Sequence, residues 1–298
     1  ETAKLYAAKQ ALFVHAVASP YRDRSHFDGQ NVLETGGSAA YRVKDGWLNR
    51  LLGLLPANEA QALALSSTVP MALRGTHEVS SYAASQLPTP TDNLMARVGA
   101  LYERDQQLHD LWSAAIDARL KAGDVMQSGG GQRGAATGAL AAKMLLGDGA
   151  RIAMIETTGW DTHSGQRGRL NAQLRELDQM LASLQTGLGS EWANTLVIVA
   201  TEFGRTARPN GTGGTDHGQA SAAMLLGGAV AGGKVIADWP GLGNGALYEG
   251  RDLKPTTDLD ALIAGALAQH YAVDPSRVMA RLFPDSRGTA VSRALIVS

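Results

Sequence analysis

The chain has 298 residues, a formal net charge of −1 and no cysteine. Its 44% apolar and 18% charged residues suffice for a buried core and exclude a disordered chain. The charge balance leaves no footprint for nucleic acid, no apolar run reaches the roughly 18 residues of a membrane span, and the missing thiols exclude disulfides, thiolate metal sites and a cysteine nucleophile.

The length fits one large α/β domain or two small ones. Ala11–Val17 (ALFVHAV) is apolar and partly β-branched, and Ser19-Pro20 punctuates it, which predicts a buried first strand. Trp47–Leu55 and Ala57–Leu65 read as a helical pair divided by Pro56. Pro88–Thr91 (PTPT) marks a hinge, and Thr91–Ala122 a long helix with Leu94, Val98, Leu101, Leu108, Trp112, Ala115 and Leu120 turned inward. The region 41–128 therefore reads as a mostly helical insertion over the working edge of a sheet.

Another helix is expected over Ala135–Leu146, with further strands at Arg151–Thr157, Thr195–Thr201 and Ser221–Gly227. Leu170, Leu174, Leu177, Leu181, Leu184 and Leu188 repeat at four-three spacing, predicting a helix over Gly165–Leu188 and a right-handed βαβ crossover between the flanking strands. Leu259–Tyr271 and Ser276–Leu282 read as closing helices, the second following Asp274-Pro275. Strands alternating with long helices predict an α/β fold, with a mostly parallel sheet and helices on both faces.

Polar residues gather after the strands, where open α/β sheets place their sites. The first strand leads to Arg22, Arg24, Ser25, His26 and Asp28. The strand at 151–157 leads to Asp161 and His163, and the strand at 195–201 to Glu202 and Arg205. The glycine-rich loop Gly211–Gly214 leads to Asp216 and His217. Imidazole nitrogens with carboxylate oxygens are the donor set of a borderline divalent cation such as Zn²⁺ or Mn²⁺. The arginines suit an anionic group, and a helix opening at Ser25 and His26 aims backbone N–H groups at one.

Each residue alone also has an ordinary reading. Asp161 fits a helix cap, Asp216-His217 the closure of a glycine loop, Glu202 and Arg205 a surface pair, and Ser25 a cap. A dinucleotide site is a weaker option: Gly129–Gly134 (GGGQRG) matches G-x-G-x-x-G, and Glu156 lies at the spacing of a ribose-binding acid. Lys121–Ser128 ahead of it makes a poor strand.

Tyr21–Gly36 (YRDRSHFDGQNVLETG), Gly159–Gln166 (GWDTHSGQ), Thr201–Thr206 (TEFGRT) and Thr215–Gly218 (TDHG) resemble, in order and over nearly the whole chain, the domain of unknown function 1501 family. That family is largely bacterial and often carries a twin-arginine export signal. It is grouped with the alkaline phosphatase and sulfatase superfamily, whose members hydrolyse or transfer phosphate and sulfate esters at a two-metal site. The resemblance implies that His217 is the late histidine ligand and that Asp161 with His163 is the middle Asp…His pair. Glu202 keeps a carboxylate where the superfamily has Asp-His, and Phe203 replaces the imidazole. Counting back from Gly36 puts His26, with Ser25 beside it, at the nucleophile position. Family members carry an upstream segment resembling Arg-Gly-Gly-x-Asp-Gly, with a metal-binding aspartate, and this sequence starts downstream of it.

The expectation is thus a single alkaline phosphatase/sulfatase-like domain over 1–298 without its N-terminal strand, periplasmic or secreted. Asp161, His163, Glu202, Asp216 and His217 would bind a divalent metal (Zn, Mn, Ca or Mg). Ser25 or His26 would attack a small-molecule or polymeric anionic ester held by Arg24 or Arg205. The alternative is a catalytically degenerate binding protein on the same scaffold.

Overall fold

The computed structural model describes residues 1–83, 91–122, 133–146 and 150–297. Pro88–Pro90 of the expected hinge, Gly129–Gln132 of the glycine-rich run and 84–90 and 123–128 of the expected insertion lie outside these residues. In chain order the first half holds α1 (Thr2–Ala7), β1 (Ala11–Ala18), α2 (His26–Thr35), α3 (Trp47–Leu52), β2 (Ala62–Ala64), β3 (Ser80–Ser81), α4 (Asp92–Tyr102), α5 (Gln106–Ala122) and α6 (Arg133–Leu145). Then come β4 (Ile152–Met154), α7 (Gln166–Leu188), β5 (Val197–Val199), β6 (Ser221–Leu226), β7 (Lys234–Ile236), β8 (Thr257–Asp258), α8 (Leu259–His270) and α9 (Pro275–Leu282).

Alternation along β1 sorts its side chains between two apolar layers. Leu12 and Val14 join a cluster with α3, α8 and α9 residues such as Leu51, Leu262 and Leu282, while Ala11 and Phe13 join Leu181, Leu184 and Ala141 of α7 and α6. The sheet around β1 is therefore apolar on both faces, as period-2 strands buried between helices require.

That sheet is mixed, not mostly parallel. Its order is β5-β6-β1-β7, with β8 also pairing β1. β6 runs antiparallel to both β1 and β5, whereas β7 and β8 run parallel to β1. The reason lies in the β5–β6 connection: antiparallel neighbours need no crossover helix, so a loop over 200–220 can join them directly. A second, wholly parallel sheet has the order β3-β2-β4. β4 and β5 thus belong to different sheets, and α7 is not the crossover of a single βαβ unit.

Ala62–Ala64, read from sequence as helix, is the central strand of that second sheet and pairs with Ile152–Met154. Thr91–Ala122 is broken at Glu103–Asp105, where Asp105 Oδ1 accepts from Leu108 N–H at 3.1 Å and starts α5 as its cap. Leu94, Leu101, Leu108 and Ala115, expected inward, are exposed. The C-terminal half of α7 buries Leu181, Leu184 and Leu188 as its spacing predicts. α6 lies close against it, because a Cβ at Gly134 or Gly138 would collide with the carbonyl oxygens of Glu176 and Met180. Gly134, part of the dinucleotide-like run, is thus a helix-packing glycine. Among the described residues no helix is long and apolar enough to cross a membrane.

Candidate metal centre

β1 and β5 are both antiparallel to β6, so their C-terminal ends lie at one edge of the sheet. The loop after β1 brings Arg24, Ser25 and His26 to that edge, and the β5–β6 loop brings Glu202, Arg205, Asp216 and His217. The β4–α7 loop adds Asp161 and His163. Hydrogen bonds tie these loops to one another. Gln166 Oε1 accepts from Thr162 Oγ1 at 3.1 Å and from Thr215 Oγ1 at 2.6 Å. Asn210 donates to the His163 carbonyl at 2.9 Å and to Asp216 at 3.1 Å, while its Oδ1 accepts from the N–H groups of Thr212 and Gly214. Gly214 admits no side chain, since a Cβ there would overlap the His163 backbone.

Three imidazoles share one arrangement. His26 Nδ1 meets Glu202 Oε1 at 2.6 Å, His163 Nδ1 meets Asp216 Oδ1 at 3.1 Å and His217 Nδ1 meets the Arg24 carbonyl at 2.8 Å. A carbonyl or carboxylate can only accept, so each Nδ1 carries a proton, and each ring turns its Nε2 the other way. All three Nε2 atoms face Asp161: His163 and His217 at 3.0 and 3.1 Å from Oδ1, His26 at 3.4 Å from Oδ2.

The two rings of His163 and His217 also meet Nε2 to Nε2 at 2.9 Å. Two lone pairs at that distance repel unless a proton or a cation lies between them. Among the described residues the buried His26 Nε2 has no hydrogen-bond partner. Donor atoms of His26, Asp161 and His217 all lie within 4.8 Å of one another. The donor set and the orphaned nitrogen fit a divalent cation, and the fixed Nδ1 bonds are the outer support that metal-binding histidines carry.

Arg205 keeps Asp161 ionised. Burial pushes this carboxyl upward, but the Arg205 Nη1 hydrogen bond at 2.6 Å and the charges of His163 and His217 outweigh it and bring its pKa down to about 2. Asp216 is also lowered, by hydrogen bonds from Asn210 and His163. Phe203 is buried under the site, its ring 4.8 Å from that of His26 and 4.9 Å from that of His217, so it restricts both rotamers.

Of the eleven polar residues read after the strands, the nine given metal, attacking or anion-holding roles lie in this one region, in different positions, whereas Arg22 donates to the Ser19 and Tyr21 carbonyls. Asp161, His163, His217 and His26 face one another, whereas Glu202 and Asp216 stand behind imidazoles. Glu202 pairs with His26 and not with Arg205. Asp161 caps no helix, since α7 begins at Gln166 after Gly165. Ser25 occupies the N-cap position of α2 without a side-chain cap bond, and its N–H donates to the Tyr21 hydroxyl at 2.9 Å. The Arg205 guanidinium spans Asp161 and Thr215. Arg24 is committed to Asp252 and Glu249. Sequence reasoning missed Asn210, Arg251 and Asp252. The asparagine sits one residue before the glycine loop and could have been read as a turn former; the other two gave no signal.

Helices around one mixed and one parallel sheet, with a polar cluster of imidazoles and carboxylates at one strand edge, define the class. The family described as "Protein of unknown function (DUF1501)" matches residues 8–283, and the chain belongs to it. No curated protein and no solved structure matches it significantly.

Proposed function

We propose that the chain is an exported, metal-dependent hydrolase or transferase for a phosphate- or sulfate-type ester, on an alkaline phosphatase/sulfatase-like scaffold. The observation that carries this reading is the convergence of three Nε2 atoms on Asp161, with every Nδ1 held from behind. His26, Asp161 and His217 hold the cation, a Zn, Mn, Ca or Mg ion, with His163 beside them. Glu202, Asp216 and the Arg24 carbonyl fix the imidazoles. When bound, a divalent cation supplies Lewis-acid polarisation of an ester oxygen.

The other groups then divide the chemistry. With both His26 nitrogens engaged, Ser25 is the attacking group, next to the first turn of α2, whose free N–H groups favour an anion. Arg205, against Asp161, sets positive charge where the anionic ester lies. Export is supported by the twin-arginine signal common in the family.

The test is hydrolysis of aryl phosphate and aryl sulfate esters by protein supplied with each metal. Turnover falls at least about 100-fold in Ser25→Ala with metal retained, and disappears with the metal in Asp161→Ala. Full activity in Asp161→Ala contradicts the reading. A second reading, a binding protein without turnover, is favoured by Phe203, which fills an expected ligand position with an apolar ring. Its mark is metal and ligand binding with no product from any ester.

A further inference from the structure

We infer that Asp252 is the positioning residue for His217 and acts through the backbone of Arg24; this rests on the metal-centre reading and deepens it. Asp252 closes a tight turn with Tyr248, whose N–H and carbonyl bond the Asp252 carbonyl and N–H at 2.9 and 3.0 Å. The turn is anchored to the strand-like segment after Arg205, where Ala207 N–H donates to the Arg251 carbonyl at 3.1 Å.

The Asp252 side chain is fully buried. Its Oδ2 accepts from Arg24 Nε at 2.9 Å and from Arg24 Nη2 at 2.6 Å. Its Oδ1 is buried with no hydrogen-bond partner among the described residues, and Arg251 Nε stands 3.6 Å away. A buried ion pair with one oxygen left over is a poor source of stability compared with apolar packing, so its presence points to a geometric task.

The task is visible at Arg24. Its φ of +63° is left-handed, a strained conformation for a residue with a side chain. That conformation turns the Arg24 carbonyl onto His217 Nδ1 at 2.8 Å. The ion pair with Asp252 holds the arginine in the strained turn, and the carbonyl in turn fixes which nitrogen of His217 is protonated. The same turn reaches His217 a second time, because Arg251 Nη2 donates to the His217 carbonyl at 2.7 Å. Glu249 Oε2 also accepts from Arg24 Nη2 at 2.6 Å, but it is exposed and its pull is screened. Asp252 is the partner that water does not weaken.

Two measurements on the full chain test this: imidazole ¹⁵N NMR of the metal-free protein, and Zn²⁺ affinity by competition with a chelator. In the native protein His217 carries its proton on Nδ1. Asp252→Asn shifts His217 to a mixture of tautomers and weakens Zn²⁺ binding about 10–100-fold, the usual loss for an outer partner of a metal ligand. Glu249→Gln stays within about twofold of the native affinity, since it removes only a screened surface pair. Arg24→Lys keeps the charge but not the two-pronged geometry, shows the same loss, and serves if Asp252→Asn does not fold. Native tautomer and native affinity in Asp252→Asn, or in Arg24→Lys where that is the variant in hand, overturn the inference. Absence of Zn²⁺ binding by the native protein overturns the metal-centre reading instead, and the tautomer comparison alone then decides the role of Asp252.

Discussion

The α6–α7 pair and the loop cluster around Asp161 are assembled by opposite means. In the helix pair, glycines let one backbone lie on another, leucines fill the seam, and shape alone decides the fit. In the loop cluster, ionised carboxylates and imidazoles stand within hydrogen-bond reach at a half-exposed surface, and lone pairs face each other across 2.9 Å. The first region is complete as it stands. The second is balanced only when a cation or a proton sits among its nitrogens, which is how proteins commonly sacrifice local stability for function. The comparison predicts that substitutions in the packed region alter stability and leave metal binding alone, with the reverse in the cluster.

One of the two largest effects should come from the cluster. Zn²⁺ at about 100 times its dissociation constant stabilises the native protein by roughly 2.7 kcal/mol, and His217→Ala abolishes that gain. A thermal shift of equal size in both proteins breaks the comparison.

Next is a buried acid away from the site. Asp260, in the first turn of α8, has its pKa pushed from 3.8 up to about 8 by burial, with the Asp258 charge adding to it. The folded protein thus binds this proton more tightly than the unfolded chain. Its contribution to stability is full below pH 3.8 and is lost as pH rises through about 8. Asp260→Asn removes that dependence, so denaturant midpoints at pH 9 should rise by the equivalent of a few kcal/mol, on the order expected for a shift of this size. An unchanged pH profile contradicts it.

Smaller is Gly138→Ala, whose methyl meets the Met180 carbonyl and costs about 1–3 kcal/mol, a Tm drop of several degrees with Zn²⁺ affinity intact. Smallest is Asp274→Ala. It deletes the cap whose oxygen accepts from Arg277 N–H at 2.8 Å, at a cost of about 1 kcal/mol in urea unfolding.

What the sequence disclosed follows the same divide. The leucine spacing of α7, the apolar run of β1 and the Asp-Pro start of α9 are local signals, and each element stands where they put it. The site residues were legible for a related reason: polar side chains bunched directly after apolar strands, in four short motifs. Three kinds of feature were hidden. The three-residue strand at Ala62–Ala64 is defined by its pairing with β4, so its own helix-like pattern misleads. The antiparallel placement of β6 depends on how a loop returns, which no periodicity records. The Asp252–Arg24 link joins residues 228 positions apart, and neither one's neighbours announce the other. The sequence also offered Glu202 and Asp216 as metal ligands, whereas the structure turns them to the Nδ1 side of His26 and His163. Spacing marked these chemical groups but could not tell the inner face of an imidazole from its outer face.

His26 Nε2, His217 Nε2 and Asp161, with His163 beside them, are read as a cation site. Calorimetric titration of Zn²⁺ and Mn²⁺ into chelator-treated full-length protein, with metal content by plasma mass spectrometry, tests it most directly. Saturable binding of at least one equivalent, retained through gel filtration and lost in His217→Ala, is the expected result. A native protein that takes up no divalent metal would contradict it and leave the cluster as a protonated histidine–carboxylate network.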